Sequence, residues 1–232
     1  GFLSDAHGNL WAVRKAVDIL NKNECDRIYF LGDAIGYIPN WTIIEDLYHS
    51  EIESILGNHE FYLLSRRFDH IKDEVYQLNK IIDDIPKKYI DYLNTWPSQK
   101  VISINNKQIL LVHGSPMDPI NGYVYPDSDL NFQDIEKYDA IIMGNTHYPF
   151  VSKSKDTFMV NCSSCGLPRD HGSLGAVAVM DIDEQSMIAK IIRFDIQQET
   201  ARSIVGLDIH NHVYEVYKRR IPLTDIQGEI IE

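Results

Sequence analysis

Three features of this chain predict an α/β fold built around parallel strands. Its first sixty residues alternate short apolar strands with amphipathic helices, its second half is dominated by strands, and its chemically capable residues stand directly behind strands. With 232 residues, 44% hydrophobic and 24% charged, it is long enough to bury a sizeable core and too ordinary in composition for a disordered or fibrous chain. No linker, repeat or low-complexity stretch divides it, so a single domain over residues 1–232 is expected.

The elements follow in order. A strand ends at Ser4, and a helix with Leu10, Val13, Val17 and Leu20 on one face comes next. Residues 27–31 (RIYFL) form a strand, residues 41–49 a helix and residues 52–56 a third strand, a βαβαβ unit whose strands must run parallel. Residues 71–95 read as helical in two pieces broken at Pro86. Strands at 100–104 and 108–112 flank a turn at Asn105-Asn106-Lys107. A helix is expected near 130–138, then strands at 140–143, 150–152, 157–160, 176–181 and 188–194, the last two joined by a turn at Asp183–Ser186. From Gln197 the pattern is a helix and a mixed tail, in which residues 213–221 suit either a strand or a partner contact.

Charge narrows the partners. Twenty-two basic against 34 acidic side chains leave −12, which argues against non-specific nucleic-acid binding and against an anionic membrane surface. No apolar run reaches the length of a membrane span. Three cysteines make no disulfide framework, and Cys162-x-x-Cys165, without a second such pair, reads as two small residues in a loop. A reducing cytoplasm is therefore expected.

Asp5-x-His7 closes the first strand, Gly32-Asp33 the second and Gly57-Asn58-His59-Glu60 the third; His113 follows residue 112, and Gly144-Asn145-Thr146-His147 follows residue 143. Asp5 and Asp33 are 28 positions apart, and Asp33 and Asn58 are 25 apart, each one strand–helix repeat. These loops thus return to one sheet edge, the carboxyl ends where open α/β sheets bind ligands. Carboxylates, imidazoles and amides without thiolates suit Mn²⁺, Fe, Zn²⁺ or Mg²⁺, and a shared carboxylate suits two ions clamping a phosphoryl group. Each dipeptide alone is an everyday turn; the ordered set, holding four of the nine histidines, is not.

On these residues, together with Val112-His113-Gly114 and Gly144-x-Thr146-His147-x-Pro149, the chain resembles the calcineurin-like metallophosphoesterase family over residues 1–195, with the C-terminal helix and tail at 196–232 outside the likeness. Gly36-Tyr37-x-Pro39, His113-Gly114-Ser115-Pro116 and residues 161–169 (NCSSCGLPR) bring it nearest the small prokaryotic phosphodiesterases. Ala34-Ile35-Gly36 stands where the protein-phosphatase branches carry Asp-Arg-Gly, while Glu60 is commoner in those branches.

The resemblance implies a four-layer αββα sandwich with two mixed sheets and hydrolysis of phosphodiesters by a hydroxide held between two divalent ions. Manganese is the ion expected first, with Fe, Zn, Ni or Mg as alternatives. Asp5, His7, Asp33 and His147 would hold one ion; Asp33, Asn58, His113 and Asn145 would hold the other. His59 would serve the leaving group, with Glu60 either orienting it or acting as a first-turn helix acid. Asn9, Tyr37 and Arg169 are candidates for substrate binding.

Asn145 departs from the family's usual histidine, and an amide oxygen is the poorer ligand for late transition metals. Three outcomes follow: a harder ion at that position, a weakly held second ion, or slowed turnover. The expected partner is a small phosphorylated or nucleotide-like substrate, and the sequence is compatible with an oligomer. Two alternatives stand beside the phosphodiesterase: a phosphomonoesterase acting on small phosphorylated compounds or nucleotides, and a catalytically impaired binding module.

Overall fold

The computed structural model describes residues 1–67 and 69–221, and the backbone of 228–231. Residues 222–227 and 232, part of the expected tail, lie outside the described residues. Two mixed sheets pack face to face. The first, ordered β11-β10-β9-β1-β2-β3, contains β1 (Phe2–Leu3), β2 (Tyr29–Phe30), β3 (Glu53–Ser54), β9 (Leu174–Ile182), β10 (Met187–Asp195) and β11 (Gly228–Ile231). The second, ordered β4-β5-β6-β8-β7, contains β4 (Gln99–Ile104), β5 (Lys107–Val112), β6 (Ala140–Met143), β7 (Phe150–Ser154) and β8 (Thr157–Asn161).

The predicted βαβαβ unit is present. β1, β2 and β3 run parallel, connected through α1 (Leu10–Lys22) and α2 (Thr42–Tyr48). Their regular strands span two residues each, fewer than expected. The ladder nevertheless runs on into the loops: Asp5 N–H donates to Gly32 O, His7 N–H to Asp33 O and Gly8 N–H to Ala34 O, at 2.9–3.0 Å. The backbone that carries the candidate ligands is therefore sheet-paired although it is not strand.

Alternation along the second sheet sets its two faces. Ile109, Leu111, Ala140, Ile142 and Val160 meet Phe2, Tyr29, Leu31, Ala176, Ala178 and Ile191 of the first sheet in the inter-sheet core. Leu110, Val112, Ile141, Met143 and Met159 face outward, onto Val124, Leu130, Phe132, Ile135 and Tyr138. The helix expected at 130–138 is only a 3₁₀ turn at Ile135–Lys137, because Asp134 adopts φ 59° immediately before it. On the outer face of the first sheet, α1, α2 and α6 (Lys87–Leu93) bury Val13, Ala16, Leu20, Ile43, Leu47, Tyr89 and Leu93.

Other local expectations resolve individually. Asn105 and Asn106, both with positive φ, make the two-residue turn between β4 and β5, a geometry asparagine tolerates. Asp183 accepts from the backbone N–H groups of Gln185 and Ser186 and closes the β9–β10 turn. After α3 (Asn58–Ser65), residues 70–93 break twice rather than once. Gln77, at φ 57°, separates α4 (His70–Tyr76) from α5 (Leu78–Ile81), where the Asp73 carboxylate receives the Leu78 and Asn79 N–H groups. Pro86 makes the second break, just before α6.

Trp96 is buried as a packing anchor and Trp41 packs on Tyr89, whereas Trp11 is exposed between Arg14 and Arg202. Residues 211–217 are helix α8, following α7 (Gln197–Ile204), and seat Val213 and Val216 against Ile38, Leu167 and Ile209. Cys162 and Cys165 lie buried just behind β8, where burial pushes both thiols up, consistent with packing rather than redox chemistry. Among the described residues no helix is long and apolar enough to cross a membrane.

Arg193 of β10 is fully enclosed and makes two hydrogen bonds to Asp170, at 2.6 and 3.0 Å. Replacing Asp170 by Ala strands that guanidinium without its counter-charge. Urea unfolding is expected to show a loss of about 3–5 kcal/mol.

Candidate metal centre

Loops behind β1, β2, β3, β5 and β6 converge at the carboxyl edge of the two sheets. They bring Asp5, His7, Asp33, Asn58, His59, His113, Asn145 and His147 into one buried cluster. The convergence carries strain. Asp5, His7, Asp33, Asn145 and His147 all have φ between 49° and 63°, a left-handed conformation costly for side chains with a Cβ. Backbone hydrogen bonds from the paired loops hold it in place, and the Ser164 hydroxyl adds a 2.6 Å bond to the Asp5 carbonyl.

Three histidines are locked in one tautomer. His7 Nδ1 meets Ile35 O at 3.3 Å, His113 Nδ1 meets Leu31 O at 2.7 Å and His147 Nδ1 meets Leu167 O at 2.5 Å. A carbonyl only accepts, so each Nδ1 carries a proton and each Nε2 is turned to the cluster. There, His147 Nε2 is 3.1 Å from Asp5 Oδ1, and His113 Nε2 is 3.4 Å from Asp33 Oδ2 and 3.2 Å from Asn58 Oδ1. His7 Nε2 lies 3.6 Å from Asp5 Oδ1 and 3.8 Å from Asp33 Oδ2.

Charge and lone pairs in this cluster call for cations. Burial raises the cost of both carboxylates, yet His147 and His113 at Asp5, and His113 and His59 at Asp33, hold the two carboxyls well below the usual range. The same carboxylates outweigh burial at His113 and push it up to about 10. His7 and His147 present Nε2 atoms to each other at 3.0 Å, a contact between lone pairs unless something positive lies between them. Asp5 Oδ1 is enclosed without a hydrogen-bond partner, a costly state for a carboxylate oxygen. These atoms fit divalent metal ions, with three overlapping donor groups: Asp5–His7–His147, Asp5–Asp33–His113 and His7–Asp33–His59.

His59 differs from the other three. Among the described residues its Nδ1 has no partner, its Nε2 is 3.7 Å from Asp33 Oδ2, and burial pushes its pKa down to about 3, so it is neutral and free to carry its proton on Nε2. Tyr37 stacks on it at 5.3 Å and Tyr76 packs at 4.4 Å. Residue 36 must be glycine here: a Cβ would sit 2.0 Å from His59 Nδ1, on a backbone at φ +93°.

Three expectations change. Of the two roles expected of Glu60, the first-turn helix acid holds, through the Gly57 N–H, and the orienting of His59 does not. Its carboxylate accepts the N–H groups of Asp33, Ala34, Ile35 and Gly57 at 2.8–3.4 Å, tying the Asp33 loop to the first turn of α3. Burial and Asp33 push Glu60 up to about 7, while these donors favour its anion. Asn9, a candidate for substrate binding, is instead fully buried: it caps α1 through Ala12 N–H and binds Gly166 O, Thr200, Ser203 and Tyr217. Tyr37, 4% exposed, is an inner wall against His7 and His59.

Arg169 does reach the site. It donates to the Tyr37 hydroxyl at 3.0 Å and, among the described residues, has no carboxylate within salt-bridge distance. Asn145 gives its backbone N–H to Asp5 Oδ2 at 2.9 Å and its side-chain N–H to Gly122 O at 2.8 Å.

Sequence reasoning missed the carbonyls of Leu31, Ile35 and Leu167, which have no side-chain signature. It also missed Asn161, whose amide fastens Gly144 O and Thr146 Oγ1 behind His147. The asparagine was visible in the 161–169 segment, but nothing there pointed to its partners.

Comparison with known proteins agrees with this geometry. A family profile described as the calcineurin-like phosphoesterase superfamily domain matches residues 1–185. The chain is 25% identical over 246 residues to an uncharacterized protein of Methanocaldococcus jannaschii, covering 95% of this chain and 92% of that one. It is 20% identical over 198 residues to phosphodiesterase YfcE of Escherichia coli strain K12, covering 82% and 95%. The crystal structure of a hypothetical protein from Pyrococcus horikoshii OT3 superposes with a TM-score of 0.78 at 20% identity, covering 93% and 96%.

Replacing Glu60 by Gln removes the charge and one acceptor from the Asp33 loop. Stability in urea is expected to fall by about 1–3 kcal/mol, and Mn²⁺ affinity measured by calorimetry to fall about 10–100-fold. Unchanged affinity would reduce Glu60 to a helix cap.

Proposed function

Since the chain belongs to the calcineurin-like phosphoesterase superfamily, we propose that its buried cluster hydrolyses phosphodiesters with two divalent metal ions, manganese foremost. The observation that supports this reading is the division among four imidazoles: carbonyls at Nδ1 turn three of them with Nε2 toward the cluster, and the fourth is free to donate from Nε2. Asp5, His7, Asp33 and His147 would hold one ion; Asp33, Asn58 and His113, with the Asn145 amide oxygen, would hold the second. When bound, the ions would polarise the phosphoryl oxygens and make water a nucleophile at neutral pH.

The chain's own residues do the rest. Water adds to phosphorus, the ester P–O bond breaks, and the leaving oxygen gains a proton. Neutral His59 would donate a hydrogen bond from Nε2 to that oxygen, held in place by Tyr37, Tyr76 and Gly36. Arg169 would bind a phosphoryl oxygen, its side chain already oriented by Tyr37. Glu60 would keep Asp33 in position through the backbone.

Two observations support a diester over a monoester. Arg169 is one cation, matched to the single negative charge of a diester, and no arginine follows Gly32-Asp33 where the phosphatase branches carry Asp-Arg-Gly. The relative YfcE bears the name phosphodiesterase.

The test is Mn²⁺-dependent hydrolysis of bis-p-nitrophenyl phosphate against p-nitrophenyl phosphate. Faster diester turnover is expected; faster monoester turnover would replace this reading by a phosphomonoesterase, and no turnover with any metal by a binding module. His59→Ala is expected to slow hydrolysis about 10²–10⁴-fold, more for methyl phenyl phosphate than for methyl p-nitrophenyl phosphate, because phenolate needs the donated proton more. Gly36→Ala, which displaces the same ring, is expected to show the same dependence on leaving group.

A further inference from the structure

Three tyrosines beside the cluster have no part in the chemistry above. Tyr123 and Tyr125 are 55% and 37% exposed, while Val124 between them is fully buried, so the segment is anchored inward at one residue and presents two rings outward. The rings are parallel to within 8° with centroids 6.2 Å apart, and Tyr125 continues to Tyr148 at 5.9 Å.

Both ends of this aromatic row are fixed to the metal centre. At one end Gly122, directly before Tyr123, gives its carbonyl to Asn145, whose backbone N–H holds Asp5. At the other end Tyr148 directly follows His147. The loop behind the row is itself pinned, by Gly114 N–H to Pro119 O, Gly122 N–H to Asp118 O, Tyr62 hydroxyl to Asn121 Oδ1 and Tyr125 N–H to the Ser128 hydroxyl. Burial raises the Tyr123 phenol, with Asp33 and Asp5 adding to the rise and Arg169 opposing it, so the ring lies within the field of the site. Asn58 and Asn145 are the most accessible members of the cluster, at 7% and 4%, and Asn145 adjoins this loop.

Resting on the phosphoesterase reading, we infer that Tyr123 and Tyr125 are a stacking shelf for a nucleobase, and that the natural substrate is a small nucleotide diester. Its phosphate would lie between the cluster and Arg169 while the base covers the exposed rings. Parallel aromatic faces next to an anion site match a ligand with a planar group and a phosphate joined by a short spacer, which describes a nucleotide. An aliphatic phosphodiester would leave the rings in water. The net charge of −12 disfavours a long polynucleotide in favour of a small ligand.

Stacking of one base on an aromatic side chain is worth about 5- to 150-fold in affinity. Calorimetry on the Mn²⁺-loaded protein would compare adenosine 5′-monophosphate with ribose 5-phosphate, which share sugar and phosphate and differ by the base. The expected result is at least about tenfold tighter binding of the adenosine compound. In the Tyr123→Leu/Tyr125→Leu variant the ratio should fall to within about twofold, while Tyr123→Phe/Tyr125→Phe keeps it. Equal binding of the two compounds by the unaltered chain, or a preference that survives in the leucine variant, overturns the shelf. Turnover of bis-p-nitrophenyl phosphate measured alongside separates the two readings: turnover without base preference removes the shelf alone, and base preference without turnover removes the enzyme alone.

Discussion

Two carboxylates buried at the junction of two sheets set the terms for this molecule. Asp5 and Asp33 are buried, and their negative charge must be answered within a few ångströms. In the chain by itself His113 answers part of it, pushed up to about 10, while burial keeps His59 and His147 low. That compensation leaves one oxygen of Asp5 without a partner and sets two Nε2 atoms against each other. Divalent cations resolve both problems at once, and for this reason the cluster fits a metal centre better than a network of internal ion pairs.

Much of the surrounding structure serves to hold those carboxylates. Five of the cluster residues occupy left-handed backbone, a cost that the continued β1–β2 pairing and the Ser164 hydroxyl offset. Glu60 acts at one remove: an acidic residue in the first turn of α3 reaches back and collects four N–H groups, three of them from the loop that carries Asp33. The His59 N–H, in turn, donates to Asp33 Oδ1 at 2.9 Å. Loop and helix therefore position each other, and Gly36 leaves the space in which the His59 ring lies. Asn9 plays a similar part farther out, joining α1 to α7, α8 and the 166 carbonyl.

Position 145 links chemistry to recognition. An imidazole there would offer one ring nitrogen to an ion. The asparagine instead gives its amide nitrogen to Gly122. The loop that carries Tyr123 and Tyr125 is thereby tied to the same residue that supports Asp5. A departure from the family's usual residue thus has a structural counterpart: it fastens the rim of the site.

The amino-acid sequence by itself determined which polar residues meet and on which edge, because one-per-strand spacing and right-handed crossovers leave little freedom for Asp5, Asp33, Asn58, His113 and His147. It likewise determined the turn at Asn105 and Asn106, although Lys107, expected in that turn, begins β5, since a turn depends on a residue's own backbone preference. Only the tertiary structure decided what depends on partners far along the chain. The Nε2 of His7 faces inward because the carbonyl of Ile35 lies behind its ring, and a carbonyl has no sequence signature. Glu60 serves a loop 25–27 residues away, and Asn9 is enclosed by helices nearly 200 positions later. Residues 130–138 carry a helical pattern but form only a 3₁₀ turn at Ile135–Lys137, after Asp134 turns left-handed, while Leu130, Phe132, Ile135 and Tyr138 pack on the face of the second sheet. Local pattern is legible where a residue's conformation depends on itself and its neighbours, and illegible where it depends on what the fold later places against it.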